Sequence, residues 1–164
     1  MNKQEIIDEI NKTKEHLANM EKMLKECDER WKPEKGEEYF YVDNVGIIQN
    51  ALFDNTMGYH LDLCKTLNCF KTKKQAELEA EKILVRRQLE DIARRLNRGV
   101  KIDWHNDDQY KYCFIYDVDY QHINQDSNIN VIRQGAVYCL DKNFLNTAIK
   151  EIGEGRLIKY LRGE

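Results

Sequence analysis

The stretch from about residue 72 to 97 reads as one helix with apolar residues on two opposed faces, so it must be covered on both sides. Ala76, Ala80, Ile83 and Leu84 form one stripe, suited to a sheet. Leu78, Val85, Leu89, Ile92 and Leu96 form a second stripe about half a turn away. From Val85 onward the second stripe has the spacing of a coiled-coil seam. Thr72 followed by Gln75 is a capping box that starts the helix.

Residues 1–30 read as a second, separate helix. Ile6, Ile10, Thr13, Leu17, Met20, Leu24 and Cys27 alternate in steps of four and three, with Lys, Glu, Asp and Asn between them. So narrow a stripe suits another helix better than a sheet. Roughly three heptads are marginal alone. The economical expectation is that this seam meets the one formed by Val85, Leu89, Ile92 and Leu96, either within the chain or across a homodimer. Pro33 and Gly36 end the helix and hand the chain to a strand.

Residues 31–164 form an α+β body in two similar halves, 31–99 and 100–164. Trp31 precedes Tyr39-Phe40-Tyr41-Val42, and Trp104 precedes Tyr112-Cys113-Phe114-Ile115, 73 residues later. Each aromatic strand leads to further apolar stretches. These are Gly46-Ile47-Ile48 and Asn68-Cys69-Phe70 in one half, and Val131-Ile132 and Ala136–Leu140 in the other. Each half then closes with a helix, capped by Thr72 or Asp141. The expected architecture is therefore an N-terminal coiled-coil helix followed by two β-β-β-α units. Each unit packs an antiparallel sheet on helices, and the two tryptophans seal the sheets as core anchors. Tyr39, Tyr41, Tyr110, Tyr112, Tyr116 and Tyr120 leave aromatics to spare for a stacking or protein-binding face.

Charged residues make up 34% of the 164 and the net charge is −3, which argues against nucleic-acid binding by bulk electrostatics. No apolar run approaches the roughly 20 residues that cross a bilayer, and MNKQEIIDEI lacks the core of a secretion signal. The expectation is a cytoplasmic protein with no membrane partner. The five cysteines, Cys27, Cys64, Cys69, Cys113 and Cys139, include no CxxC pair and no zinc spacing. Cys113 and Cys139 lie among strand-forming residues, where a thiol acts as a small hydrophobe.

Arg87, Arg94 and Arg98 line one side of the middle helix, with Arg95 beside them and Lys101 just beyond. Such a row suits phosphates or an acidic protein surface. Ordinary solvated pairs of Arg87 with Asp91 and of Arg94 with Glu90 account for it more simply. Asp117, Asp119 and His122 lack the dense oxygen spacing of a calcium loop and read as a strand's exposed end, so no metal is expected. No phosphate loop, HExxH, GxSxG or Cys/His pairing is present, and His60, His105 and His122 read as surface or edge residues. The expectation is a non-enzymatic chain with no catalytic residue and no cofactor.

The run Trp31-Lys32-Pro33-Glu34-Lys35-Gly36-Glu37-Glu38-Tyr39-Phe40-Tyr41-Val42 resembles small accessory proteins of phages and prophages of Gram-positive bacteria. So do Asn68-Cys69-Phe70-Lys71-Thr72 with Ala76-Glu77, and the ending Glu151-Ile152-Gly153-Glu154-Gly155-Arg156-Leu157. Leu67 stands where the family pattern has glycine. The resemblance implies a protein that acts on the host, with no catalytic residues to carry over. On that footing the first expectation is an anti-defence, anti-CRISPR-like inhibitor that occupies a host protein such as a defence nuclease. The alternatives are a sponge for a nucleotide immune signal and a nucleic-acid-binding regulator using the arginine row.

Overall fold

The computed structural model describes residues 12–14, 17, 20, 31–128 and 132–164. It is mixed α+β, with two small antiparallel sheets arranged along one long helix. The first half holds β1 (Glu38–Val42), β2 (Ile48–Leu52), α1 (Gly58–Lys65) and α2 (Lys73–Asn97). The second holds β3 (Lys111–Asp117), β4 (His122–Asn128), α3 (Phe144–Ile152) and α4 (Glu154–Arg162).

Helix α2 runs 25 residues, roughly 37 Å of axis. Its capping box forms as the sequence indicates: Thr72 Oγ1 accepts from the Gln75 amide at 3.3 Å, and Gln75 Oε1 accepts from the Thr72 amide at 3.1 Å. Arg94 and Arg95 in the last turn complement the helix dipole before the chain turns left-handed at Arg98.

The two faces of α2 are covered by the chain itself. Its first half packs on β1 and β2, where Ala76 is fully buried. Further along, Val85, Leu89 and Ile92 are at most 2% exposed, in a core with Phe114, Ile123, Cys139, Phe144, Ala148, Ile152 and Leu157. Leu96 packs against that core, partly buried. The seam is thus lined by α3, α4 and the second sheet, while most of the N-terminal helix expected to meet it lies outside the described residues. Leu78 and Leu84, assigned to the two stripes, are instead exposed. Of the N-terminal seam, Leu17 and Met20 are helical and exposed, while Ile6, Ile10 and Leu24 lie outside the described residues.

Among the described residues each sheet has two strands rather than the expected three, and a further segment in each half is held by one doubly hydrogen-bonded bridge. Phe40 exchanges both backbone bonds with Phe70 (2.9 and 2.8 Å), and Tyr112 does so with Cys139 (2.7 and 2.9 Å). Phe40 therefore corresponds to Tyr112, an offset of 72 rather than 73. One residue matters here, because it exchanges the two faces of a strand. In the first half the next rung is made by a side chain. The Asn68 amide accepts from Val42 N–H at 2.8 Å and donates to Val42 O at 2.6 Å. The backbone cannot supply that rung because it has just left a left-handed turn at Leu67 (φ +69°).

Trp31 and Trp104 are half-buried and stand outside the main core, contrary to their expected role as anchors. Asp141 does not cap α3, whose N-cap is Asn143; its carboxylate accepts from the Asn143 amide at 2.8 Å instead. Gly153 (φ +97°) ends α3 and at once begins α4, a corner that a side chain would strain. Arg95–Glu151 and Arg156–Glu81 ion pairs tie these short helices to α2.

Candidate functional site

The arginine row is largely spoken for. Arg94 and Arg95 both bind Asp91, the latter at 3.0 Å, and Arg95 reaches on to Glu151. These contacts hold the Asp91 carboxyl below its usual range, the Arg94 bond contributing most. Glu90 pairs with Arg86 at 2.9 Å, not with Arg94. Arg87 donates to the Asn44 carbonyl at 3.2 Å, bracing the β1–β2 turn. Among the described residues, only the side chains of Arg98 and Lys101 in this group lack a hydrogen-bonded or ionic partner. Arg98 lines an open cleft of about 590 Å³ with Leu96, Val100, Tyr112, Asp141 and Lys142.

The acids of the second half organise turns. Asp117 Oδ1 accepts from the Asp119 and Tyr120 amides, both at 3.1 Å, and His122 Nε2 meets Asn124 Oδ1 at 2.8 Å. Among the described residues no three His, Cys, Asp or Glu side chains gather to hold a metal ion, and no helix is long and apolar enough to cross a membrane.

What the first sheet leaves open is its edge. Phe40 turns its backbone toward Phe70, so Tyr39 and Tyr41 turn theirs toward Ala51 and Gln49 of β2. Ile48, Asn50 and Leu52 then point their N–H and C=O groups away from the sheet, with no partner strand among the described residues. From Gly46 to Phe53 there is no charged residue and no proline, the usual protections of an edge. Val45, Ile47 and Leu52, the last 65% exposed, add apolar surface beside it. The turn feeding this edge is rigid: the Asp43 carboxylate accepts from Val45 and Ile47 amides and from Gln49 Nε2 at 2.8–3.1 Å. The outer strand of the other sheet, β4, carries Asp126 paired with Arg133, a charged edge by contrast.

Behind the first sheet, α1 encloses an aromatic and thiol cluster. Tyr39 packs on His60 (5.6 Å between centroids) and Tyr41 on Tyr59 (5.9 Å), which places α1 over that face. His60 is no surface residue here: its Nδ1 accepts from the Asp54 amide at 2.9 Å. Tyr39 is fully buried, and its hydroxyl has no hydrogen-bond partner. Burial, reinforced by Cys69, Cys64, Tyr41 and Tyr59 nearby, pushes its phenol up to about 12. Its share of stability is intact below pH 10 and lost as the pH rises toward about 12. That loss is on the order of 2 kcal/mol. Tyr39→Phe should flatten this alkaline slope in urea titrations and match or exceed wild-type stability at pH 7, since it removes an unsatisfied hydroxyl. In the second half, burial likewise pushes the Cys113 and Cys139 thiols up, keeping them protonated.

Sequence reasoning missed the open edge and the enclosed cluster. An uncharged run from Gly46 to Phe53 in so charged a chain was the available signal for the edge. No protein-family model, no curated protein and no solved structure matches the chain.

Proposed function

We propose that this chain is a non-enzymatic binding protein that acts by occupancy, docking a host protein along the outer edge of β2. The observation that carries the reading is the uncharged edge at Ile48, Asn50 and Leu52, with unpaired backbone groups and exposed apolar neighbours. An extended segment of a partner would complete the sheet through backbone bonds, and its alternate side chains would meet Leu52 and Ile48. Inhibition of a host defence nuclease, the role implied by the resemblance to phage accessory proteins, needs nothing more than such blocking. A second copy of the chain, pairing through Leu17 and Met20, would make the inhibitor a homodimer.

The test is affinity capture from a nuclease-treated bacterial lysate at high salt. One stoichiometric host protein is expected on the wild type, and on neither Leu52→Lys nor Asn50→Pro. Both substitutions guard the edge and leave the backbone ladder intact, so stability should move by less than about 1 kcal/mol for Leu52→Lys, while Asn50→Pro also loses the Asn50 Nδ2 bond to Glu38 Oε1 at 2.7 Å. Capture that survives both variants, or that yields only nucleic acid, would sink the proposal.

A second reading has its own observation. The 590 Å³ cleft places Arg98 and Lys142 beside Tyr112, a combination that suits the phosphate and base of a nucleotide signal. Thermal stabilisation by a nucleotide, abolished in Arg98→Ala, would favour the sponge over the inhibitor.

A further inference from the structure

Cys64 and Cys69 are brought together by the way α1 stops. Cys64 lies in the last turn of the helix, and Leu67 takes the left-handed conformation (φ +69°). The Asn68 amide then bonds back to Leu63 O at 2.9 Å, and the Leu67 amide to Cys64 O at 3.2 Å. This is the paired bonding of a Schellman ending, with leucine where glycine is usual, at a cost of about 1 kcal/mol. The reversal sends the chain back along the helix, and the Phe70–Phe40 bridge fixes it there. Cys64 Sγ consequently stands 2.9 Å from Cys69 Sγ, in hydrogen-bond contact, with both residues half-buried. Neither is sealed in the core, as Cys113 and Cys139 are.

We infer that Cys64 and Cys69 are a redox modification site, a dithiol that closes to an intramolecular disulfide by exchange with low-molecular-weight disulfides. The first cysteine, as thiolate, attacks one sulfur of the small disulfide, forming a mixed disulfide and releasing one small thiolate. The second cysteine's thiolate attacks the protein sulfur of that mixed disulfide and expels the other small thiolate. Two protein thiols are oxidised, one small disulfide is reduced to two thiols, and the thiol protons pass to solvent and the leaving groups. Closure staples the end of α1 to the bridge segment that borders β1. A reducing cytosol keeps the pair open, and a rise in the disulfide pool closes it.

The chain's own lysines make the bond readable. Trypsin cutting after Lys35, Lys65 and Lys71 places Cys64 in residues 36–65 and Cys69 in residues 66–71, with no other cysteine in either peptide. The full chain is equilibrated in glutathione buffers of graded ratio, acid-quenched, alkylated and digested. The expected result is the two peptides joined, two hydrogens lighter than their separate sum and parted by dithiothreitol, while Cys113 and Cys139 are alkylated. Cys64→Ser should instead hold Cys69 as a stable glutathione adduct.

The same titration in denaturant separates a site built by the fold from mere closeness in sequence. Folding should raise the ring-closure constant at least about tenfold, which is about 30 mV for two electrons. Equal constants, stable glutathione adducts on the wild type, or Cys64 joined to Cys27 would each overturn the inference.

Discussion

Truncating Ile92 to alanine is expected to lower the unfolding free energy by about 2–5 kcal/mol, equally at every protein concentration. Ile92 is 1% exposed in the last third of α2, in the core with Leu89, Phe114, Phe144 and Ile152. These neighbours come from α2 itself and from β3 and α3 of the same chain, and the Phe114 and Phe144 rings pack at 4.4 Å with little freedom to close a void. Removing the side chain therefore costs both its transfer energy and a cavity. Small domains are held by only about 5–15 kcal/mol, so the milder Ile92→Val, at about 0.5–1.5 kcal/mol, provides the graded measurement. Urea unfolding followed by circular dichroism, at concentrations about a hundredfold apart, checks the claim. A midpoint that rises with concentration would mean that a second copy covers the seam formed by Val85, Leu89, Ile92 and Leu96.

That seam shows where periodicity ends as a guide. Its spacing correctly announces a helix covered on two sides, but any apolar layer satisfies it. Two short helices joined at Gly153 fill it as well as one long helix would. Signals settled within a few residues were legible, such as the Thr72–Gln75 box and the aromatic strands around Phe40 and Phe114. Signals requiring a choice among equivalent partners were not. Asp91 lies within helical reach of Arg87, Arg94 and Arg95, and only the neighbouring Glu151 and Asn44 decide which arginine turns which way. The third strand of each sheet was legible as apolar residues but not as a strand. Leu67 takes a conformation that leucine seldom adopts, and the Asn68 side chain then does the pairing. The same turn makes a five-residue cysteine spacing into a contact, although no motif attaches to that spacing.

Replacing Lys111 with alanine is expected to cost about 2–4 kcal/mol, as much as a core truncation. In the sequence this lysine is the one Lys or Arg among the acids from Asp103 to Asp126. In the fold it opens β3 and is 0% exposed. Its Nζ donates to the Asn106 carbonyl at 2.8 Å and stands 5.7 Å from the Trp104 ring centroid. Trp104 in turn meets Tyr138 edge-on at 4.9 Å. One side chain thus ties the 103–109 loop to the sheet and sets the indole against the segment leading to Cys139. Alanine would forfeit the packing of the stem, the cation–π contact and the bond to the Asn106 carbonyl, which keeps only the Gln109 amide at 3.2 Å. Lys111→Met separates these contributions, because it keeps most of the volume and loses only the charge and the bond. Its cost should be about 1–2 kcal/mol, with the loop still in place. Unfolding monitored by tryptophan fluorescence measures both variants. A wild-type midpoint for the alanine variant would show that the loop is held without the lysine. Equal losses for alanine and methionine would assign the whole effect to the ammonium and none to the stem.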